Sequence, residues 1–367
     1  MLTTRGLLVA ALLWGGPSIS RLSAADRNAS AQIASEIQRL EQGGQKAPAD
    51  GGIAGVSTAV HDSLKAADEA LHSDKPYLAL EKLLQATDLA VGSEELKTHA
   101  GTVGSDMAAF ETEWGKISSE LAALSRQVQA RDWTHSPAAL RALAEVALGK
   151  SVPLLDGGRG FAIATGPKDG LFYLGEARGE AQFADFCGSL SLVRKKPAWA
   201  ARSLLPELLA LQAKTDEAFQ PPRSIDEHSR FIALNSTLKL ARELDSSRSY
   251  YGALYQYLES IRHFAMLDAA PVDAAHQPEL KAAIAAELAK TSASSRDDSI
   301  RRLFLERAAS QTAHPDGSAP SADEWRSAQA IFTHVLPAHA AAMKVAPPLR
   351  QTSGKAIDLT LVRWPYT

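Results

Sequence analysis

The sequence predicts an all-α protein built from antiparallel helical hairpins packed as a bundle. Three observations carry this. Aromatic residues make up only 6% of a chain rich in alanine and leucine. Apolar residues recur at intervals of three and four along most of its length, the period of a helix with one buried face. A helix–turn–helix unit is also written twice.

The two copies are "LKAADEALHSDKPYLALEKLL" from Leu64 and "LKLARELDSSRSYYGALYQYL" from Leu238, which align without a gap. They agree at Leu64/Leu238, Lys65/Lys239, Ala67/Ala241, Glu69/Glu243, Ser73/Ser247, Tyr77/Tyr251, Ala79/Ala253, Leu80/Leu254 and Leu84/Leu258. Small alanines on either side of the turn let two helices approach closely, and Tyr77 is placed to cover the open end. The unit therefore predicts an αα-hairpin. Its layout resembles tetratricopeptide-type packing, but the fixed period of about 34 residues and the spaced Trp, Gly and Pro signature of those arrays are absent, so no family follows.

The elements follow in order. Residues 1–25 read as a signal peptide, with Arg5, an apolar run from Gly6 to Trp14 and small residues ending Ser23-Ala24-Ala25. The run is well short of the ~20 residues of a membrane span. Residues 26–150 are expected to form an N-terminal helical bundle. Its first helix runs from Ala29 to Gln42, with Ile33, Ile37 and Leu40 on one face. A Gly/Pro-rich loop follows, then the first hairpin. Next, Met107, Phe110, Trp114, Ile117, Leu121, Leu124 and Val128 step by alternating threes and fours, which specifies a long helix capped by Asp106 and packed internally.

"PAALRALAEVALGK" reads as a helix closing at Gly149. The Gly/Pro-punctuated residues 151–170 are then expected to be irregular, with "GFAIATG" as a short strand. Residues 171–335 predict further helices, including Asp226–Leu244, Tyr250–Met266, Pro278–Lys290, Asp297–Ser310 and Ala322–Thr333. Residues 336–367 are expected to be an extended tail, in which Ile357, Leu359 and Leu361 alternate as one strand.

Composition narrows function. The formal net charge is −3, and loss of Arg5 and Arg21 with the leader makes it more negative. That argues against nucleic acid as a partner. A single cysteine, Cys187, permits no internal disulfide, so stability must come from packing. An exported product is expected, in the periplasm or secreted.

Motifs that suggest chemistry mostly have plainer explanations. "AEVALGKS" meets a loose phosphate-loop pattern, but it lies at the end of a strong helix former, not after a strand. Glu69 and His72 have the Glu-x-x-His spacing of di-iron bundles, yet the second copy offers Ser246 opposite His72; Glu95 and His99 have a different spacing. His334 and His339 flank Pro337 and lack an identifiable third ligand. Cys187 reads as a small buried side chain. No His-Glu-x-x-His or Gly-x-Ser-x-Gly motif occurs. No catalytic residue, metal ligand or cofactor is assigned.

Four residues remain as candidate contacts to a ligand or partner: Tyr251 and Tyr255 on one face of "YYGALYQYL", and Asp156 and Arg159 in the glycine-rich segment. The expected function is an exported helical scaffold that binds another protein or an envelope component. The alternative is a solute-binding protein or enzyme with its site under a loop at 151–170, where Lys168 would join Asp156 and Arg159.

Overall fold

The computed structural model describes residues 24–45, 55–134, 136–190, 195–197, 201–219, 227–267 and 269–344. The predicted leader up to residue 23 and the predicted strand at 357–361 lie outside these. Helices account for nearly all of the rest, so the chain is all-α. In order they are α1 (Ala24–Gln45), α2 (Val56–His72), α3 (Pro76–Val103), α4 (Met107–Ala130), α5 (Ala138–Ala164), α6 (Pro167–Ser189), α7 (Leu205–Ala218), α8 (His228–Ser246), α9 (Tyr250–Leu267), α10 (Gln277–Ala293), α11 (Ser299–Gln311), α12 (Ala322–Ala330) and α13 (Leu336–Lys344). A π-helical turn, Ile331–Val335, joins the last two. Two-residue strands β1 (Lys196–Pro197) and β2 (Arg296–Asp297) pair in parallel. No described helix is long and apolar enough to cross a membrane.

Both repeated units are αα-hairpins, and their turns match bond for bond. Lys75 N–H donates to Ala70 O at 2.9 Å and Asp74 N–H to Leu71 O at 3.2 Å; Ser249 N–H donates to Leu244 O at 2.8 Å and Arg248 N–H to Asp245 O at 3.0 Å. These paired bonds are the Schellman closure of a helix C-terminus. Around each turn Ala67, Ala79, Ala241 and Ala253 are fully buried, which brings α2 onto α3 and α8 onto α9.

Each hairpin is also fastened from the other half of the chain. Glu306 of α11 accepts hydrogen bonds from Tyr77 N at 3.0 Å and Leu78 N at 2.9 Å. Glu145 of α5 accepts one from Gly252 N at 2.8 Å. One turn before each carboxylate an arginine steadies it: Arg302 Nε and Arg141 Nε each donate at 2.7 Å. The same arginines lie over the matched rings, Arg302 over Tyr77 at 5.6 Å and Arg141 over Tyr251 at 4.6 Å. First-turn amides of a helix lack intrahelical partners and favour a negative charge, so this bracing satisfies α3 and α9 with side chains from α11 and α5. The main core accordingly draws on both halves.

The heptad helix is α4, with Asp106 accepting from Ala108 N at 2.8 Å. Its buried Phe110, Ile117, Leu121 and Val128 face inward, and most of this seam joins a second core with α3, α5 and α6.

Three expectations are corrected. Residues 151–170 are not irregular: α5 runs unbroken through Gly149 and Pro153 to Ala164, and α6 starts at Pro167. Leu155, Gly158 and Ala162 are buried along one side of that stretch, while Pro153 points outward, so burial of a face holds the helix together across its breakers. Several of the glycines are needed for close approach. A Cβ on Gly149 would stand 2.9 Å from Leu244 Cδ2, and one on Gly170 only 2.4 Å from Gly158 O. Gly149 is thus a packing residue and not a C-cap. Residues 336–344 are not extended tail but helix α13, which runs past Pro337; the rest of the expected tail, 345–367, lies outside the described residues.

Candidate functional site

Of the predicted contacts, the structure brings none of Asp156, Arg159 and Lys168 into a loop-covered site. Asp156 and Arg159 are exposed on α5; Arg159 Nε donates to Glu111 at 2.8 Å and its guanidinium lies 5.1 Å from the Trp114 ring. Lys168 stands in the first turn of α6. Tyr251 is half-buried beneath Arg141. Tyr255 is buried, its hydroxyl accepting from Arg307 Nη2 at 2.8 Å and its ring 5.6 Å from Phe304. His72 is exposed, and His334 and His339 separate into one exposed and one buried ring. Burial pushes the His339 imidazole down to about 4 and the Cys187 thiol well up.

Tyr255 belongs to a polar seam running between α3, α5, α6, α9 and α11. At one end Arg307 reaches Glu81 at 2.8 Å and bonds Glu259, whose other oxygen accepts from Arg262 Nε at 3.0 Å. Burial alone would raise Glu259, but Arg307 and Arg262 hold it down to about 2. Burial and Arg262 push His263 down to about 4. Two carboxylates face two guanidiniums here. The charges balance.

The other end does not balance. Asp88 of α3 and Glu176 and Glu180 of α6 gather around one ammonium, Lys150 of α5. Its Nζ lies 3.5 Å from Glu180 Oε1. Close approach of α3 and α6 creates this crowding, because Gly179 sits so near the α3 backbone that a Cβ there would fall 2.8 Å from Asp88 Cα. Burial raises all three acids, Asp88 to about 6, Glu176 to about 7 and Glu180 to about 8, with Lys150 opposing each. Glu180 raises Lys150 in turn. The Glu180 side chain is 1% exposed and its Oε2 has no hydrogen-bond partner, whereas the Lys150 side chain is 42% exposed. The cluster is therefore enclosed at Glu180 and reaches water at Lys150. Chemically it can exchange protons near neutrality and hold added positive charge.

Sequence reasoning set Lys150 aside with the phosphate-loop pattern; that motif follows no strand, but it lies mid-helix and not at the helix end expected. The carboxylates went unnoticed because Asp88 and Glu180 come from distant helices. One signal was readable: Glu176 and Glu180 stand one turn apart beside Gly175 and Gly179. A separate, largely apolar hollow of about 390 Å³ lies between α7 and α8, lined by Phe219, Phe231 and Ile232.

No known protein family, curated protein or solved structure matches this chain.

Proposed function

We propose that the chain is an exported helical binding protein whose Lys150 recess receives a cationic group, the lysine or arginine side chain of a partner protein. The observation that carries this is the surplus of carboxylate: three acids against one ammonium, with Glu180 Oε2 buried and unpartnered. An entering cation supplies the missing charge and ionises acids that burial keeps protonated, so binding releases protons. Lys150, half-exposed at the mouth, is the internal occupant that a ligand displaces or joins. Support for export is the leader pattern of Arg5, the apolar run and Ser23-Ala24-Ala25. The braced hairpins supply the rigid frame on which such a recess keeps its shape.

The test is calorimetric titration of the purified chain with an oligolysine peptide at pH 7, in buffers of different ionisation heat. Binding with proton release is expected, about tenfold weaker in Glu180→Gln and tighter in Lys150→Met. Equal affinity in parent and Glu180→Gln would show that the peptide meets only surface charge.

A further inference from the structure

We propose that Glu95, His99 and Glu113 form a divalent transition-metal site, matched to Zn²⁺, that clamps α3 to α4. Glu95 and His99 stand one turn apart on α3, and Glu113 faces them from α4. His99 Nε2 lies 3.6 Å from Glu95 Oε1 and 3.9 Å from Glu113 Oε1, and one ligand atom from each of the three residues falls within 4.8 Å of the others. Zinc bonds of about 2.0–2.1 Å in a tetrahedron set ligand atoms about 3.3 Å apart. Closing the shell therefore shortens the two distances from His99 by roughly 0.3 and 0.6 Å and draws the carboxylate oxygens together by up to about 1.5 Å, within the reach of side-chain rotation, with water left for the fourth position. Two carboxylate oxygens and one imidazole nitrogen suit zinc better than calcium or magnesium, which favour oxygen alone.

An orphaned atom points the same way. The Glu95 side chain is 2% exposed, yet its Oε1 has no hydrogen-bond partner. A buried carboxylate oxygen left so is costly, and a metal is one of the few partners that removes the cost. Its other oxygen is already taken by Arg178 of α6, which also donates from Nε to Glu120 at 2.9 Å. Arg178 thereby fixes the orientation of Glu95, as outer partners of metal ligands do. Two cations compete for Glu113 Oε1: Lys116 at 3.0 Å and Arg178 at 3.6 Å. Lys116 is 53% exposed and can swing into water. Three carboxylates, Glu95, Glu113 and Glu120, stand against these two cations. This site involves neither Lys150 nor Glu180, so it stands apart from the recess.

The test is titration of the metal-free full chain with Zn²⁺ against a competing chelator, with Co²⁺ absorption reporting the geometry. One Zn²⁺ per chain and a tetrahedral Co²⁺ spectrum are expected. His99→Ala and Glu95→Gln should each weaken binding tenfold or more, Lys116→Ala should tighten it, and His72→Ala should leave it unchanged. Because Glu95 is buried and its variant could misfold, the half-exposed His99 carries the decision. The proposal is overturned by a parent that binds no Zn²⁺, by equal affinity in parent and His99→Ala, or by binding lost with His72.

Discussion

Asp74 and Arg248 hold the same place in the two hairpins and share a left-handed backbone, with φ of 56° and 65°. Such a conformation suits glycine, is tolerated by aspartate, and costs a long side chain roughly 1–2 kcal/mol. Among the described residues, Arg248 donates no side-chain hydrogen bond that would repay this. Arg248→Gly should therefore raise stability by up to about 1 kcal/mol, the entropic cost of glycine offsetting part of the gain. Denaturant unfolding checks it, and a clear loss of stability would mean that the arginine has a role the turn does not reveal.

The matched tyrosines give a second expectation. Tyr77 is 8% exposed and packed at its hairpin end, and Tyr251 is more open. Tyr77→Ala should cost about 3 kcal/mol and Tyr251→Ala about 1–3. Lys65 and Lys239 match equally well in sequence but are 66% and 52% exposed, each near a glutamate on its own helix, Glu69 and Glu243. Their alanine variants should change stability by less than about 0.5 kcal/mol. Tyrosine variants as stable as the parent would remove the structural reading of the repeat.

Arg307 offers a third. Its guanidinium is buried among Glu81, Glu259 and Tyr255. Removing it takes the guanidinium from Glu81 and leaves Glu259 with Arg262 alone, so Arg307→Ala should cost about 3–5 kcal/mol. An apolar replacement of both partners, Arg307→Met with Glu259→Leu, should cost much less than the single change. A double-mutant cycle in which the two losses simply add would show that the pair is not coupled.

The hairpins, the heptad helix and the helical class were legible because each is local: periodicity and turn chemistry lie within a few tens of residues. The bracing was half-legible. Arg141 and Glu145, like Arg302 and Glu306, are one turn apart, but nothing in either segment says that its target lies in the opposite half. Gly149, Gly157, Gly158 and Gly160 were misread together, since a glycine that permits helix contact and one that ends a helix look alike until the facing helix is known. Asp88, Lys150 and Glu180 share a recess only through the α3–α6 approach, which no sequence spacing encodes.

The recess makes a fourth prediction, a fall in stability above neutral pH. Glu176, Glu180 and Glu306 are raised by burial from 4.5 to about 7, 8 and 7, and Asp88 from 3.8 to about 6. Acids raised on folding stabilise fully below their unfolded values, and that contribution is lost as pH climbs through the folded ones. His263 and His339, lowered from 6.5 to about 4, act oppositely but only between those two values. Above pH 6.5 the carboxylates act alone. Unfolding free energy should therefore decline from pH 6.5 to 8.5, the enclosed Glu180 contributing on the order of 1 kcal/mol per pH unit and the more open Glu176 less. Glu180→Gln should flatten the decline, and an equally steep profile in that variant would exclude the recess as its source.

The glycines of α5 and α6 allow the sharpest comparison, because those facing open space and the one at the helix contact should respond with opposite sign. Gly157 and Gly160 face open space, where an added Cβ meets nothing within 4 Å. Alanine there removes the entropic cost of helical glycine and should stabilise by about 0.5–1 kcal/mol. Gly170 differs: its Cβ would stand 2.4 Å from Gly158 O and 2.8 Å from Phe110 Cε2. Backbone cannot yield as a flexible side chain does, so α5 and α6 would have to separate where Phe110 is fully buried. Gly170→Ala should cost several kcal/mol, above the ~1–3 typical of an overpacked core. Thermal and denaturant unfolding of the three variants decide the matter. Were Gly157→Ala to destabilise as much as Gly170→Ala, residues 151–164 would not form the continuous helix on which the shape of the recess depends.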